Sequence, residues 1–477
     1  MKKVTSIDKL YFSKRSQAKS LKNAKRKIRN HRVKLGWLKY VSDIRSNCKK
    51  KNIDFIEPSF EIFRQSKTLG EKPAYSEAIR HIASLKNVFS DEDLPKNEDG
   101  KFIVPDFFSL TEKYDISLKF LKRLFYCLYK QKVETITIDY SQCQRIDVDA
   151  SACMDILLRD FISFYEKCKR RGHKVKVLRI VPINYKADHI VKVLFSIGAF
   201  SSIKGFRLKF EDILSYPLSI ADSTVSKASE IREVHITDMV NHVLECMAKM
   251  NRTLTADAEK NLFQVIGEIL INAEEHSSCK MRYTVGYFQD TNENGEHIGI
   301  FHLVILNFGQ TIYEKFSDPS CPNKEVVKQM RALSDIYTKK NFFSKAEFEE
   351  QTLWTLYALQ QGATSKAEWR RGNGSIAFID SFFNLKDSQD KDNISYLSIV
   401  SGNTRIIFDG TYRIKEVVKG KQNEKFKMMT FNDEGEIENK PDQKFVTFAN
   451  NYFPGTIISA KICIKDKNTE ISQNEQS

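Results

Sequence analysis

The hydrophobic period of the chain switches several times, and the switches mark its parts. At residue 133, "VETITIDYS" puts apolar side chains at alternate positions, as in a half-buried strand. "DASACMDILLRDFISFYEKCKRRG" then runs at helical spacing and predicts one long helix closed by Gly172. "HKVKVLRIV" predicts a second strand and "NYKADHIVKVLFSIGAF" a second helix. Strand, helix, strand, helix predicts a small α/β domain, bounded here at 133–215. Residues 225–275 read as helix. Four strand-like runs follow: "KMRYTVGYFQ", "HIGIFHLVILNFG", "ISYLSIVSGNTRIIF" and "GTIISAKICIK". Between the second and third, Tyr313 to Arg371 is helical and interrupted. The polar "KGKQNEKFKMMTFNDEGEIENKPDQK" predicts a long hairpin or flexible loop. Upstream, 52–132 reads as mostly helical, with a polar break at "SDEDLPKNEDGK". "SLKFLKRLFYCLYKQK" there forms an amphipathic helix with Leu118, Leu121, Leu124, Phe125 and Leu128 inward.

At 477 residues the chain is too long for one ordinary core, so two or three domains are expected. Its 41% hydrophobic and 11% aromatic residues suffice to fill them. No run of eighteen apolar residues predicts a membrane span. The N-terminal "MKKVTSIDKLYFSKRSQ" lacks the apolar core of a secretory signal, so a cytoplasmic protein is expected. Nine scattered cysteines form no CxxC pair and no zinc-ligand spacing, which fits reduced thiols.

Charge changes the picture at one end. Residues 1–51 carry 18 Lys and Arg against Asp8 and Asp43, a balance of +16 in a chain whose total is +15. The basic character therefore lies in an N-terminal arm on a near-neutral body. Such an arm suits nucleic acid, an anionic surface or an acidic partner, and no recognition motif chooses among them. The residues after 465 read as a disordered tail.

The candidate chemistry lies in "GEILINAEEHS". Asn261, Gln264, Glu268, Asn272 and Glu275 share one helical face, opposite Leu262, Ile266, Ile269 and Ala273. By itself this is an ordinary solvated face. The pieces downstream add to it. "VILNFGQTI" ends a β-branched strand at Asn307, with Gly309 two residues on. "RRGNGSIAFIDSFF" places Gly372 and Gly374 before an apolar helix, and Arg370 and Arg371 beside them. "FPGTIISAKI" opens a strand with Gly455-Thr456. A carboxylate one turn before an amide can place a base beside a metal ligand. Glycines before a helix expose N–H groups to phosphate.

These boxes, in this order over roughly 225–465, resemble the GHKL ATPase superfamily, and "EILINAEEHS" most resembles its anti-sigma serine kinases. The resemblance implies an α/β sandwich that binds ATP and Mg²⁺. Glu268 would act as general base and Asn272 as metal ligand. Asn307, Gly309, Gly372, Gly374 and Thr456 would hold the nucleotide. His276 follows Asn272 by four and is read as mainly structural. Two departures stand out: the adenine-reading Asp of the family is Asn307 here, and the second glycine of that box is Thr311. Residues 133–204 resemble a STAS domain. There "DASA" stands where the family has a D-S-S-G turn with a phosphorylated serine, so Ser151 is either a phosphorylation site or a helix cap. The fold class expected is α/β in several parts: basic helical arm, STAS-like domain, GHKL-type sandwich. The function expected is ATP hydrolysis or phosphoryl transfer to a serine. The alternative is a non-catalytic, ATP-gated switch that controls a protein or nucleic-acid partner.

Overall fold

A computed structural model describes residues 73–85, 100–131, 133–171, 178–198, 208–275, 278–293, 296–338, 348–363, 374–385, 395–419 and 424–465, with scattered residues from 20 to 46 and at 173 and 365. The rest of the basic arm, His276, Arg370, Arg371, Gly372 and the tail lie outside the described residues. The chain divides into two compact units, one of Met1–Ala74 and Ser163–Val177, the other of Tyr75–Ile162 and Leu178–Ser477. In the first, the described residues between 34 and 46 are helical and Trp37 is buried. The second is mixed α/β, with both parallel and antiparallel sheets.

Its first layer is a three-stranded parallel sheet, ordered β1 (Lys101–Ile103), β3 (Thr135–Asp139), β5 (Arg179–Ile183). A two-stranded pair, β2 (Phe107–Phe108) with β4 (Arg145–Ile146), lies in the same region. Four helices belong to it: α1 (Glu77–Ser84), α2 (Tyr114–Tyr126), α3 (Val148–Arg170) and α4 (Asp188–Ser196). Residues 163–170 of α3 belong to the smaller unit. Within the stretch expected as mostly helical, 52–132, the short strands β1 and β2 stand beside the helices α1 and α2. Strands this short carry no readable period, and β1 exists by pairing with β3 more than thirty positions on.

The second layer is a five-stranded antiparallel sheet ordered β6-β7-β8-β12-β9. Its strands are β6 (Ile213–Asp222), β7 (Met281–Glu293), β8 (Glu296–Phe308), β9 (Tyr396–Phe408) and β12 (Val446–Lys465). The polar stretch expected as a long hairpin or flexible loop contributes β11 (Glu424–Met428), whose partner β10 (Lys415–Lys419) mostly precedes it. Strand β6 is not among the runs read from the sequence. It carries Pro217, and its pairing with β7 shifts register between Tyr216 and Ser219. A proline is tolerated there because β6 lies at the sheet edge.

One face of this sheet carries helices α5 (Ala228–Lys249), α6 (Ala256–Glu275), α8 (Lys324–Thr338), α9 (Glu350–Ala358) and α10 (Gly374–Leu385) over a single apolar cluster. Short α7 (Ile312–Ser317) joins β8 to them. Trp354 is fully buried there, and its indole N–H donates to Ser334 Oγ at 3.0 Å. The other face meets the first layer. Thr111 Oγ1 lies 2.7 Å from Ser398 Oγ of β9, and Arg405 Nη1 donates to the Thr111 carbonyl at 2.8 Å. Tyr114 OH and Lys122 Nζ donate to Asn451 O and Oδ1 at 2.8 and 2.9 Å. Alternation along β9 thus sends Ser398 to the first layer and Ile399 to the helical side.

Candidate functional site

Helix α6 folds as its pattern requires. Leu262, Val265, Ile266, Ile269 and Leu270 are buried, while Asn261, Gln264 and Glu268 are exposed and Asn272 is half-buried. At its polar face opens a cavity of about 420 Å³. Glu268, Asn272, Asn307, Gly374 and Thr456 all line it, so side chains from α6, β8, α10 and β12 converge on one space. Ile305, Ile399, Ile458 and Phe316 give it apolar walls. That volume and a few polar groups among apolar walls suit a small organic ligand.

Gly374 opens α10 directly over the α6 face. A Cβ there would lie 2.8 Å from Asn272 Nδ2 and 3.1 Å from Glu268 Cβ, so glycine is what lets the helix start sit against this pair. The described start of α10 therefore lies close to Asn272. Gly309 is placed otherwise. Its φ is +130°, and a Cβ would meet Ser278 Oγ at 2.6 Å. It serves the packing of the loop after α6 and does not line the cavity.

Asn307 is 5% exposed, and its orientation is set by its neighbours. Nδ2 donates to the Ala273 carbonyl at 2.8 Å, and Oδ1 accepts from Thr456 N–H at 3.3 Å. It therefore ties α6 to β8 and β12. An ionised aspartate could not donate to Ala273, which gives an amide at this position a structural reason. Thr456 pairs with Asn307 across the strands, and its hydroxyl lies 2.9 Å from Ser401 Oγ, which accepts from Ile312 N–H. Thr311 is explained in the same way. It caps α7, accepting from Glu314 N–H at 3.1 Å while Glu314 Oε2 accepts from Thr311 N–H at 2.8 Å.

Behind the polar face lies an ion network the sequence did not announce. Arg282 of β7 is 0% exposed and donates through Nε to Glu274 Oε1 at 3.0 Å. Arg232 of α5 reaches Glu274 Oε2 at 3.5 Å and lines the cavity. Burial, then the Arg282 charge, holds His235 below its ordinary pKa, so its neutral Nδ1 accepts from Arg282 Nη2 at 3.2 Å. Lys315 and Gln310 also line the cavity. Arg232 carries no local sequence signal, because charged residues at helical spacing are the ordinary composition of a solvated face, and the partners of Arg282 come from other elements.

Ser151 lies in the first layer, inside the first turn of α3 and 1% exposed. Its hydroxyl donates to Asp155 Oδ2 at 3.4 Å, and its backbone N–H bonds Asp147 O. In this conformation its hydroxyl is not presented at the surface. Among the described residues no group of three His, Cys, Asp or Glu side chains could hold a metal ion, no helix is long and apolar enough to cross a membrane, and eight cysteines are buried. No protein-family model, curated protein or solved structure matches the chain.

Proposed function

We propose that the cavity on α6 binds a magnesium-loaded adenine nucleotide in the manner of the GHKL superfamily, and that the chain is an ATP-dependent regulatory protein. The observation that carries this reading is the convergence of Glu268, Asn272, Asn307, Gly374 and Thr456 on a single cavity. A nucleotide site would give these five residues a common purpose, although Gly309, expected beside them, stands outside the cavity. The apolar walls take the base, and the start of α10 and Asn272 take the phosphates.

Magnesium needs few protein ligands when phosphates and water supply the rest, so a single amide oxygen from Asn272 fits its demands. When bound, the ion neutralises phosphate charge. Glu268, exposed one turn before Asn272, is the group available as base. In hydrolysis it would take a proton from water as the water oxygen bonds the γ-phosphorus and the bond to the β-phosphate oxygen breaks, leaving ADP and phosphate. In phosphoryl transfer a partner's serine hydroxyl replaces the water.

A second reading is a gated switch without chemistry. The burial of Ser151 and the docking of the first layer on β9 favour it. Ile399 lines the cavity and the adjacent Ser398 holds Thr111, so a ligand that moves β9 acts on both. In this reading the first layer resembles a STAS domain that offers a protein-binding face, and the basic arm offers a surface for nucleic acid or protein.

Labelled ATP with Mg²⁺ separates the readings by nucleotide retention, phosphate release and protein-bound label. Glu268→Gln is expected to keep the nucleotide and lose turnover, and Asn272→Ala to lose the nucleotide. Failure of the wild-type chain to retain ATP would sink the proposal. Absence of turnover with retained ATP would leave the switch.

A further inference from the structure

Building on the nucleotide reading, we infer that Arg232 is the guanidinium that meets the outer phosphates, held in place by Glu274 and Arg282. Helices α5 and α6 form an antiparallel hairpin in which a Cβ on Gly267 would touch Ile236 Cδ1 at 3.4 Å. One turn back along α5 from Ile236 is Arg232, and one turn forward along α6 from Gly267 is Ile271. The hairpin therefore sets Arg232 at the edge of α6 next to Ile271. Arg232, Ile271, Glu268 and Asn272 all line the same cavity.

The charges around it are unevenly shared. Glu274 is 3% exposed and serves two cations, Arg282 at 0% and Arg232 at 20%. A buried carboxylate between two guanidiniums neutralises one of them. Arg282 also keeps Nη1 without a hydrogen-bond partner among the described residues, and its other contact, His235, is neutral. Asp238 lies near His235 but is exposed and solvated. Within the cavity, Lys315 accompanies Glu268. The contact of Arg232 with Glu274 is the longer of the two, 3.5 Å against 3.0 Å, and Arg232 alone of the pair borders the cavity. Arg282 thus commits Glu274 from below, and Arg232 is left able to turn its planar donors to an anion. That fork pairs with phosphate oxygens two at a time, as it does with carboxylates, and the nucleotide reading of the cavity makes phosphate the anion in reach.

The test is calorimetry with adenosine, ADP and ATP, each with Mg²⁺, on the whole chain. Wild type is compared with Arg232→Gln and Arg232→Lys, and thermal unfolding checks that both variants fold. Arg232→Gln is expected to weaken ATP by about tenfold or more while adenosine is unchanged, because only the charged contacts are removed. Arg232→Lys keeps the charge and is expected to recover part of the loss. Tripolyphosphate should compete with ATP on wild type and less well on Arg232→Gln. Equal weakening of adenosine and ATP, or no weakening of either, overturns the assignment and leaves the nucleotide site standing. Wild type that binds none of the three overturns both.

Discussion

The hydroxyls of Thr111 and Ser398 meet at 2.7 Å, and through them the two layers of the larger unit share one hydrogen-bonded chain. Thr111 donates to Asp149 Oδ2 at 2.8 Å, so it accepts from Ser398. All three residues are nearly or fully buried. Ser398→Ala removes the donor and leaves Thr111 with an unmet acceptor inside. The expected cost is ~1–2 kcal/mol of unfolding free energy, read by urea denaturation. Ser398→Thr, which restores the hydroxyl, should recover part of it. An alanine variant as stable as the parent would show that the hydroxyl pair holds nothing.

Asp149 makes this junction sensitive to pH. Burial first, then the charge of Asp147, raises its carboxyl to about 7, against donors from Thr111, Leu110 N–H and Ala150 N–H. The other groups facing it are Arg145, paired with Asp147 and Glu112, and Asp155, Cys153 and Tyr396. A folded value above the unfolded one means that the folded state binds the proton more tightly. The contribution to stability is therefore fully present below about 4, the ordinary aspartate value, and is lost as pH rises through about 7. Asp149→Asn is expected to flatten the stability profile between those limits. A variant with the parent's slope there would locate the titration elsewhere.

What the sequence disclosed is uneven, and the unevenness has a physical pattern. The faces of α6 were legible because burial repeats every 3.6 residues along a long helix. Of the residues expected to share a site, Glu268, Asn272, Asn307, Gly374 and Thr456 line one cavity, while Gly309 packs against Ser278 instead. Strand β1 was not, since three residues hold no period and its pairing with β3 is non-local. Strand β6 was hidden by Pro217, which reads as a breaker until the edge position is known. The hydrogen bonds of Asn307 were beyond reach for a different reason. An amide offers both donor and acceptor, and only Ala273 and Thr456 decide which end faces which.

That orientation yields a sharp substitution. Asn307→Asp would restore the residue type of the resembled family, yet it replaces a donor to Ala273 by a carboxylate oxygen facing a carbonyl. At 5% exposure the expected cost is ~1–3 kcal/mol of stability, read by denaturation at neutral pH. Lower pH should relieve it as the carboxyl gains a proton and can donate. Unchanged stability in Asn307→Asp would mean that Asn307 is free to turn toward a ligand.

Gly374 separates the cavity from the fold that carries it. Alanine at this position brings its Cβ to 2.8 Å from Asn272 Nδ2, closer than real contacts allow, so either α10 or the Asn272 side chain must shift. Alanine also suits a helix start at least as well as glycine by propensity, so the helix itself should not suffer. Gly374→Ala is therefore expected to leave thermal stability within about 1 kcal/mol of the parent, since the clash falls on a half-buried side chain that can rotate. Nucleotide binding should fall about tenfold or more, because the displaced amide is the one assigned to the metal. Calorimetry with Mg²⁺-ATP reads the affinity, and a parallel titration with adenosine reads the base pocket alone. Loss confined to ATP places the phosphates between Gly374 and Asn272, and full retention of ATP would remove them from that gap.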